Sequence, residues 1–265
     1  PIQTVTLPDT LAGHDVLGRG RTGSGKTLAF AIPTVVVLSA ARDDRRPRSP
    51  RGLILVPTRE LAAQVADTLV PLATSLRLKV FVIHGGVSAG PQIKALATAD
   101  IVVACPGRLE DLIAQRQCSL DRVAITVLDE ADHMADLGFL PSVKRLLDRT
   151  PRQGQRLLFS ATLDNGVDVL VKRYLHDPVT HSVDPPEAEV PEMRQLVWNV
   201  SAADKPLVVR ELASGRGRCL LFTRTKHGAK KLAGLLSKSG IPSVELHGNL
   251  SQNARTRNLD QFSNG

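Results

Sequence analysis

Cysteine is scarce. The 265-residue chain holds three, Cys105, Cys118 and Cys219, an odd number without a CxxC pair. That excludes a disulfide scaffold and the common zinc and thiol-redox patterns, and points to a reducing cytoplasm. Aromatics are few as well: six Phe, one Trp and one Tyr. Single-strand binders that stack bases on aromatic platforms need more, so any nucleic acid is expected to be held by its backbone. No long apolar run occurs. The longest, residues 28–41, contains Pro33 and falls short of the roughly 20 residues that cross a bilayer, so no membrane span is expected. Nothing at the N-terminus resembles a charged leader before an apolar segment, and the first residue is Pro1 rather than Met, as in a trimmed chain.

What is present is an ordinary globular composition, 42% apolar and 23% charged, which excludes disorder, collagen and coiled coil. The net charge of +8 is uneven: residues 201–265 carry 11 basic and 4 acidic side chains, and so hold +7 of it. A basic segment in a folded chain suggests a polyanionic partner, nucleic acid first, or a solvated surface.

Short runs rich in Val, Ile and Leu alternate with helical patterns, the signature of βαβ units building a parallel sheet. Residues 53–56, 80–83, 101–104, 124–128 and 156–159 read as strands buried on both faces. Between the first two, Leu61, Val65, Leu69, Leu72 and Leu76 recur at helical spacing, predicting a helix over 59–76. Three prolines and four acidic residues in 184–192 predict a linker. The expected organisation is an α/β domain over 1–183, that linker, and a shorter α/β unit over 193–265. In the latter, strands are predicted at 193–200, 219–223 and 243–246, and helices at 205–213, 226–239 and 252–262. The arginine-rich segment 42–51, RDDRRPRSPR, reads as an exposed loop, with phosphate contact the alternative.

The strongest local signal is Gly20-Arg-Thr22-Gly23-Ser24-Gly25-Lys26-Thr27, a full match to G-x-x-x-x-G-K-[ST] between a short strand-like run and a helix. Glycines let backbone N–H groups cradle phosphates, Lys26 supplies a point charge, and the Thr27 hydroxyl can ligate Mg²⁺. A second metal contact is needed. Asp129 ends the buried run AITVL, and an Asp at a strand's C-terminal end reaches the same crevice as the loop. Glu130 beside it would orient and polarise an attacking water. Taken alone, such a pair is a helix cap with first-turn charge; coupled to the loop, it is a Walker B arrangement.

Asp129-Glu130-Ala131-Asp132 spells DEAD, and the chain resembles an ATP-dependent DEAD-box RNA helicase of bacterial type across essentially all of its length. Its motifs appear in the family's order: Gln3, the phosphate loop, Pro57 to Ala62 (PTRELA), Gly85-Gly86, Pro106-Gly107-Arg108, DEAD and Ser160-Ala161-Thr162. Leu221-Phe222-Thr223-Arg224-Thr225, His247-Gly248, Gln252 and Arg255 continue the match. The resemblance implies a RecA-like P-loop domain followed by a partial second RecA-like domain, with ATP and Mg²⁺ as cofactors and RNA as partner. It implies that Gln3 reads adenine, whose N6 and N7 a side-chain amide can pair with simultaneously. It implies that Ser160 and Thr162, helped by Asp132, link nucleotide state to domain closure. Thr58, Arg59, Gly86 and Arg108 resemble the family's RNA-backbone contacts, and Arg224, Gln252 and Arg255 are candidates from the second unit. Read in isolation, Arg59 and Arg108 are solvated charges, and Ser160 and Thr162 ordinary caps.

The chain departs from the pattern in places. Gly20 stands where the family more often has Ala, Cys105 replaces the usual Thr before Pro-Gly-Arg, and His133 follows DEAD where Arg is common. The second unit stops before the family's later motifs, including an arginine-rich one, so weak hydrolysis is expected of this chain. The function expected for the parent is RNA-stimulated ATP hydrolysis coupled to local duplex unwinding or ribonucleoprotein remodelling. A nucleotide-gated RNA-binding module and a DNA-directed P-loop ATPase stay open as alternatives.

Overall fold

A computed structural model describes residues 1–21, 23–40, 45–164, 166–183, 194–215 and 217–264. The chain divides into two compact units, Pro1–Ala188 and Glu189–Gly265. In chain order the first unit runs α1 (Ile2–Leu11), β1 (Val16–Arg19), α2 (Lys26–Ala40), β2 (Gly52–Leu55), α3 (Arg59–Ser75), β3 (Val80–Ile83), α4 (Ala89–Leu96), β4 (Ile101–Ala104) and α5 (Pro106–Ala114). It continues with β5 (Ile125–Asp129), α6 (Ala131–Asp136), α7 (Leu140–Leu147), β6 (Gln155–Ser160), α8 (Val167–Tyr174) and β7 (Val179–Ser182).

The seven strands form one sheet in the order β3-β4-β2-β5-β6-β1-β7, every pairing parallel. Alternation of side chains along each strand divides the core into two layers. Leu53, Leu55, Val102 and Leu128 face one cluster with helices α5 to α8, while Ile54, Val56, Val103 and Val127 face the other with α1, α2 and α3. Gly18 of β1 makes the second layer possible, because a Cβ there would meet Phe159 Cε1 at 2.5 Å, and Phe159 packs on Phe30 with ring centroids 5.6 Å apart.

The apolar runs at 80–83 and 101–104 coincide with β3 and β4, and the other strands lie within a residue or two of their predicted bounds. Helix α1 and strand β7 are absent from the expected pattern. The buried face of α1 is Ile2, Thr6 and Thr10, so its periodicity is hidden by threonines that become burial-compatible by donating to backbone carbonyls, Thr6 Oγ1 to Ile2 O at 2.9 Å and Thr10 Oγ1 to Leu7 O at 3.2 Å. The arginine-rich segment is only partly an exposed loop: Arg45, Arg46 and Arg48 are exposed, but Arg51 is buried and its Nη2 pairs with buried Asp100 at 3.0 Å. Residues 42–44 and the expected linker 184–192 lie outside the described residues.

The second unit carries α9 (Lys205–Ala213), α10 (Lys226–Lys238) and α11 (Gln252–Asn264), close to the helices expected there. The three expected strands are a correction: no ladder forms in this unit among the described residues. Strand propensity is largely the fit of a side chain to a half-buried pleated surface. These segments have none, since Val197 is 100% and Phe222 95% exposed and Leu236 alone among the unit's described hydrophobics is buried.

Candidate functional site

Parallel strands leave all their C-terminal ends on one edge of the sheet, and that is where the first unit's motifs gather. The phosphate loop follows β1, Thr58 and Arg59 follow β2, Gly85-Gly86 follows β3, Pro106-Gly107-Arg108 follows β4, Asp129 ends β5 and Ser160 ends β6.

In the loop, Gly23 and Gly25 adopt φ of +83° and +90°, which side chains rarely tolerate. Lys26, buried at the start of α2, donates from Nζ to Gly20 O at 2.7 Å and so spans the loop. Gln3 donates from Nε2 to Gly25 O at 3.1 Å, tying α1 to the same turn. Ser24 Oγ is buried without a hydrogen-bond partner, a polar atom that a phosphate oxygen would satisfy. Thr22 lies outside the described residues.

Asp129 sits at the mouth of this loop, buried, with Glu130 N–H donating to Oδ1 at 3.1 Å. Burial pushes its carboxyl up from the ordinary 3.8 to about 6, against the pull of the Lys26 ammonium. A dry carboxylate beside a phosphate cradle is short of positive charge, and Asp129 with Thr27 of the α2 N-terminus therefore suits a hard divalent cation that keeps most of its waters. Glu130 caps α6 with a left-handed backbone, φ 52° and ψ 53°, disfavoured for a side chain of this size and the kind of strain that gathers at working sites. His133 Nδ1 lies 3.2 Å from Glu130 Oε2.

Asp132 gathers the segment after β6. Its Oδ2 accepts from Ala161 N at 3.2 Å, Thr162 N at 3.0 Å and Thr162 Oγ1 at 3.3 Å, and its own N–H donates to Ser160 Oγ at 3.2 Å. Burial alone would raise this carboxyl, but the hydrogen bonds from Ser160, Thr162 and His133 outweigh it and hold Asp132 below the usual carboxylate value.

A second patch on the same edge unites four residues. Thr58 caps α3, accepting Leu61 N–H at 3.2 Å. The Arg59 guanidinium lies over Gly86, where any Cβ would overlap it, and Gly86 has φ +78°. Arg108 donates from Nη1 to Val87 O at 3.1 Å. Gln92 of α4 holds that loop in shape: its Oε1 accepts His84 N at 3.1 Å and its Nε2 donates to His84 O at 3.1 Å and Ser88 O at 3.3 Å. Sequence reasoning missed Gln92, because one glutamine in a short helix carries no local signal. Arg224, Gln252 and Arg255 belong to the second unit, the first just before α10 and the others on α11.

A P-loop on a doubly wound parallel sheet, with an acidic pair at the adjacent strand end, defines a nucleoside-triphosphate-binding protein. Comparison with known proteins narrows the class. A family model described as DEAD/DEAH box helicase matches residues 1–170, and one described as helicase conserved C-terminal domain matches 204–265. The chain is 38% identical to the ATP-dependent RNA helicase dbp3 of Sclerotinia sclerotiorum over 278 residues, all of this chain and 47% of that protein. It is 36% identical to the ATP-dependent RNA helicase RhlB of Pseudomonas aeruginosa over 273 residues, all of this chain and 69% of that protein. Among solved structures, a DEAD box protein of Methanococcus jannaschii aligns with 99% of this chain and 70% of its own at 33% identity and a TM-score of 0.64. The chain belongs to the DEAD/DEAH box helicase family.

Proposed function

We propose that this chain couples ATP hydrolysis to the remodelling of RNA in the cytoplasm. The observation that carries the reading is the meeting, on one sheet edge, of the Lys26 loop, Asp129, Glu130 and the network Asp132 ties to Thr162. Phosphoryl transfer asks of a protein mostly positioning and charge neutralisation. Gln3, fixed to Gly25, presents its amide to the adenine; Lys26 and the loop N–H groups hold the triphosphate; Glu130 orients and polarises the attacking water. When bound, Mg²⁺ held by Thr27 and Asp129 would neutralise charge on the β- and γ-phosphates. The Asp132 network passes a change at the phosphates to the Ser160–Thr162 segment.

Thr58, Arg59, Gly86 and Arg108 hold the RNA backbone beside this site without reading bases, in keeping with so few aromatics. Arg224, Gln252 and Arg255 contribute from the second unit. The relatives' printed activity supports RNA as the polymer. Free thiols at Cys105, Cys118 and Cys219 suit the cytoplasm, and among the described residues no helix is long and apolar enough to cross a membrane.

The test compares stimulation of ATP hydrolysis by single-stranded RNA and by DNA of the same sequence, in the chain and in its Arg59→Ala variant. RNA-selective stimulation that Arg59→Ala weakens supports the reading. Equal stimulation by both polymers overturns the choice of RNA.

A further inference from the structure

The loops that enter the strands form the opposite edge of the sheet, away from every motif described above. Three of them build a cleft of about 500 Å³ there, lined by Arg48 before β2, Arg116 after α5 and Arg149 after α7. The cleft is locked by backbone bonds: Arg48 N donates to Leu96 O at 3.1 Å, Ser119 N to Arg48 O at 2.9 Å, and Arg116 N to Ile113 O at 2.9 Å. Arg48 and Arg116 hold φ of 62° and 56°, a region where Gly or Asn is the ordinary choice. All three arginines are exposed, and Arg149 also lies within electrostatic reach of Glu110. The one acidic lining residue, Asp121, has its Oδ1 taken by Ser119 Oγ at 2.6 Å.

We propose that this cleft is a second phosphate-backbone contact for RNA. The deduction rests on the RNA-directed reading above and extends the path of the bound strand. Three guanidiniums from three separate elements line one cleft, and Arg binds phosphate bidentately. A protein partner is the weaker fit, since an interface core wants exposed apolar anchors. Of the apolar lining, Ile113, Cys118 and Leu120 are buried and Pro47 is exposed, which leaves a single small anchor. The segment before β2 supplies Arg48 and the residues after β2 supply Thr58 and Arg59, so one strand joins the two patches. The ten residues from Arg48 to Thr58, at about 3.3 Å each, put the two patches at most roughly 33 Å apart on opposite edges of the sheet, a path around the domain that a long RNA covers and a short oligonucleotide does not. The phosphate-contact alternative for the arginine-rich segment thus acquires a place in the fold.

The test uses the full chain carrying Arg48→Asn, Arg116→Asn and Arg149→Gln together, because Asn keeps the left-handed backbone. Affinity for a long single-stranded RNA should fall about tenfold or more at moderate salt, and the slope of log K against log salt should become shallower by about 2 for three lost phosphates. Affinity for a short oligonucleotide and for ATP should stay unchanged. Unaltered long-RNA affinity and slope in this variant overturn the proposal. If Arg59→Ala with Arg108→Ala abolishes short-RNA binding in the same assay, the first RNA patch stands regardless. A wild-type chain that binds no RNA overturns both. A poly-glutamate peptide that binds the wild type as tightly as RNA, and is lost equally in the triple variant, overturns RNA as the occupant.

Discussion

His133 Nδ1 sits 3.2 Å from Glu130 Oε2, so the imidazole meets the carboxylate of a non-glycine residue whose backbone at the phosphate edge is left-handed. The contact fixes the carboxylate of a largely enclosed side chain at a strained turn. Replacing His133 by Ala should lower kcat about two- to fivefold with KM for ATP unchanged, the scale of a partly exposed pair. His133→Arg, which places a donor within reach of the same carboxylate, should recover most of the loss. An equal fall in both variants would assign His133 to local packing instead.

Asp132 joins two segments through four hydrogen bonds. Its removal in Asp132→Ala strands three backbone N–H groups, of His133, Ala161 and Thr162, and a hydroxyl, and should cost about 1–3 kcal/mol in denaturant unfolding near neutral pH. The native carboxyl lies below its ordinary 3.8, so its stabilising effect is complete above that value and fades as pH falls through the native one. The gap between wild type and variant should therefore narrow in strong acid. A gap independent of pH would show that the ionised form is not what the bonds require.

Asp129 works in the other direction. Its carboxyl is raised from 3.8 to about 6, so the folded state resists its ionisation. The destabilising effect is absent below 3.8, grows between the two values and is complete above 6. Asp129→Asn should thus stabilise the nucleotide-free chain by roughly 1–3 kcal/mol at neutral pH and lose that advantage in acid, while ATP hydrolysis disappears. A less stable variant at neutral pH would mean that the attraction to Lys26 outweighs burial.

Gly86 is open to a sharp substitution. Any Cβ there would overlap the Arg59 guanidinium, and φ is +78°. Gly86→Ala should displace Arg59 and weaken RNA binding by several-fold while leaving ATP affinity intact, as measured by titration of each ligand. Unchanged RNA affinity would remove Arg59 from the interface.

These relationships differ in how far they could be read from the chain. The loop from Gly20 to Thr27, the buried strand ending at Asp129 and the helix carrying Leu61, Val65 and Leu69 were legible because their signals are local: glycine spacing, continuous apolarity and a 3.6-residue period. Helix α1 was illegible because Thr6 and Thr10 fill its buried face. The expected strands at 219–223 and 243–246 had the right composition, but pairing is a tertiary property that composition does not specify. The convergence of Arg48, Arg116 and Arg149 likewise depends on segments far apart in sequence, whereas Gln92, bonded to nearby His84 and Ser88, and the left-handed turn at Glu130 are local but carry no pattern that marks them.

The most direct measurement is ATP hydrolysis with and without single-stranded RNA in the chain and its Glu130→Gln variant, alongside ATP affinity. The expected result is turnover that rises with RNA and falls about 10²- to 10⁴-fold in the variant at unchanged ATP affinity. Turnover indifferent to RNA, or equal in the two proteins, would contradict Glu130 as the residue that activates water in an RNA-coupled ATPase.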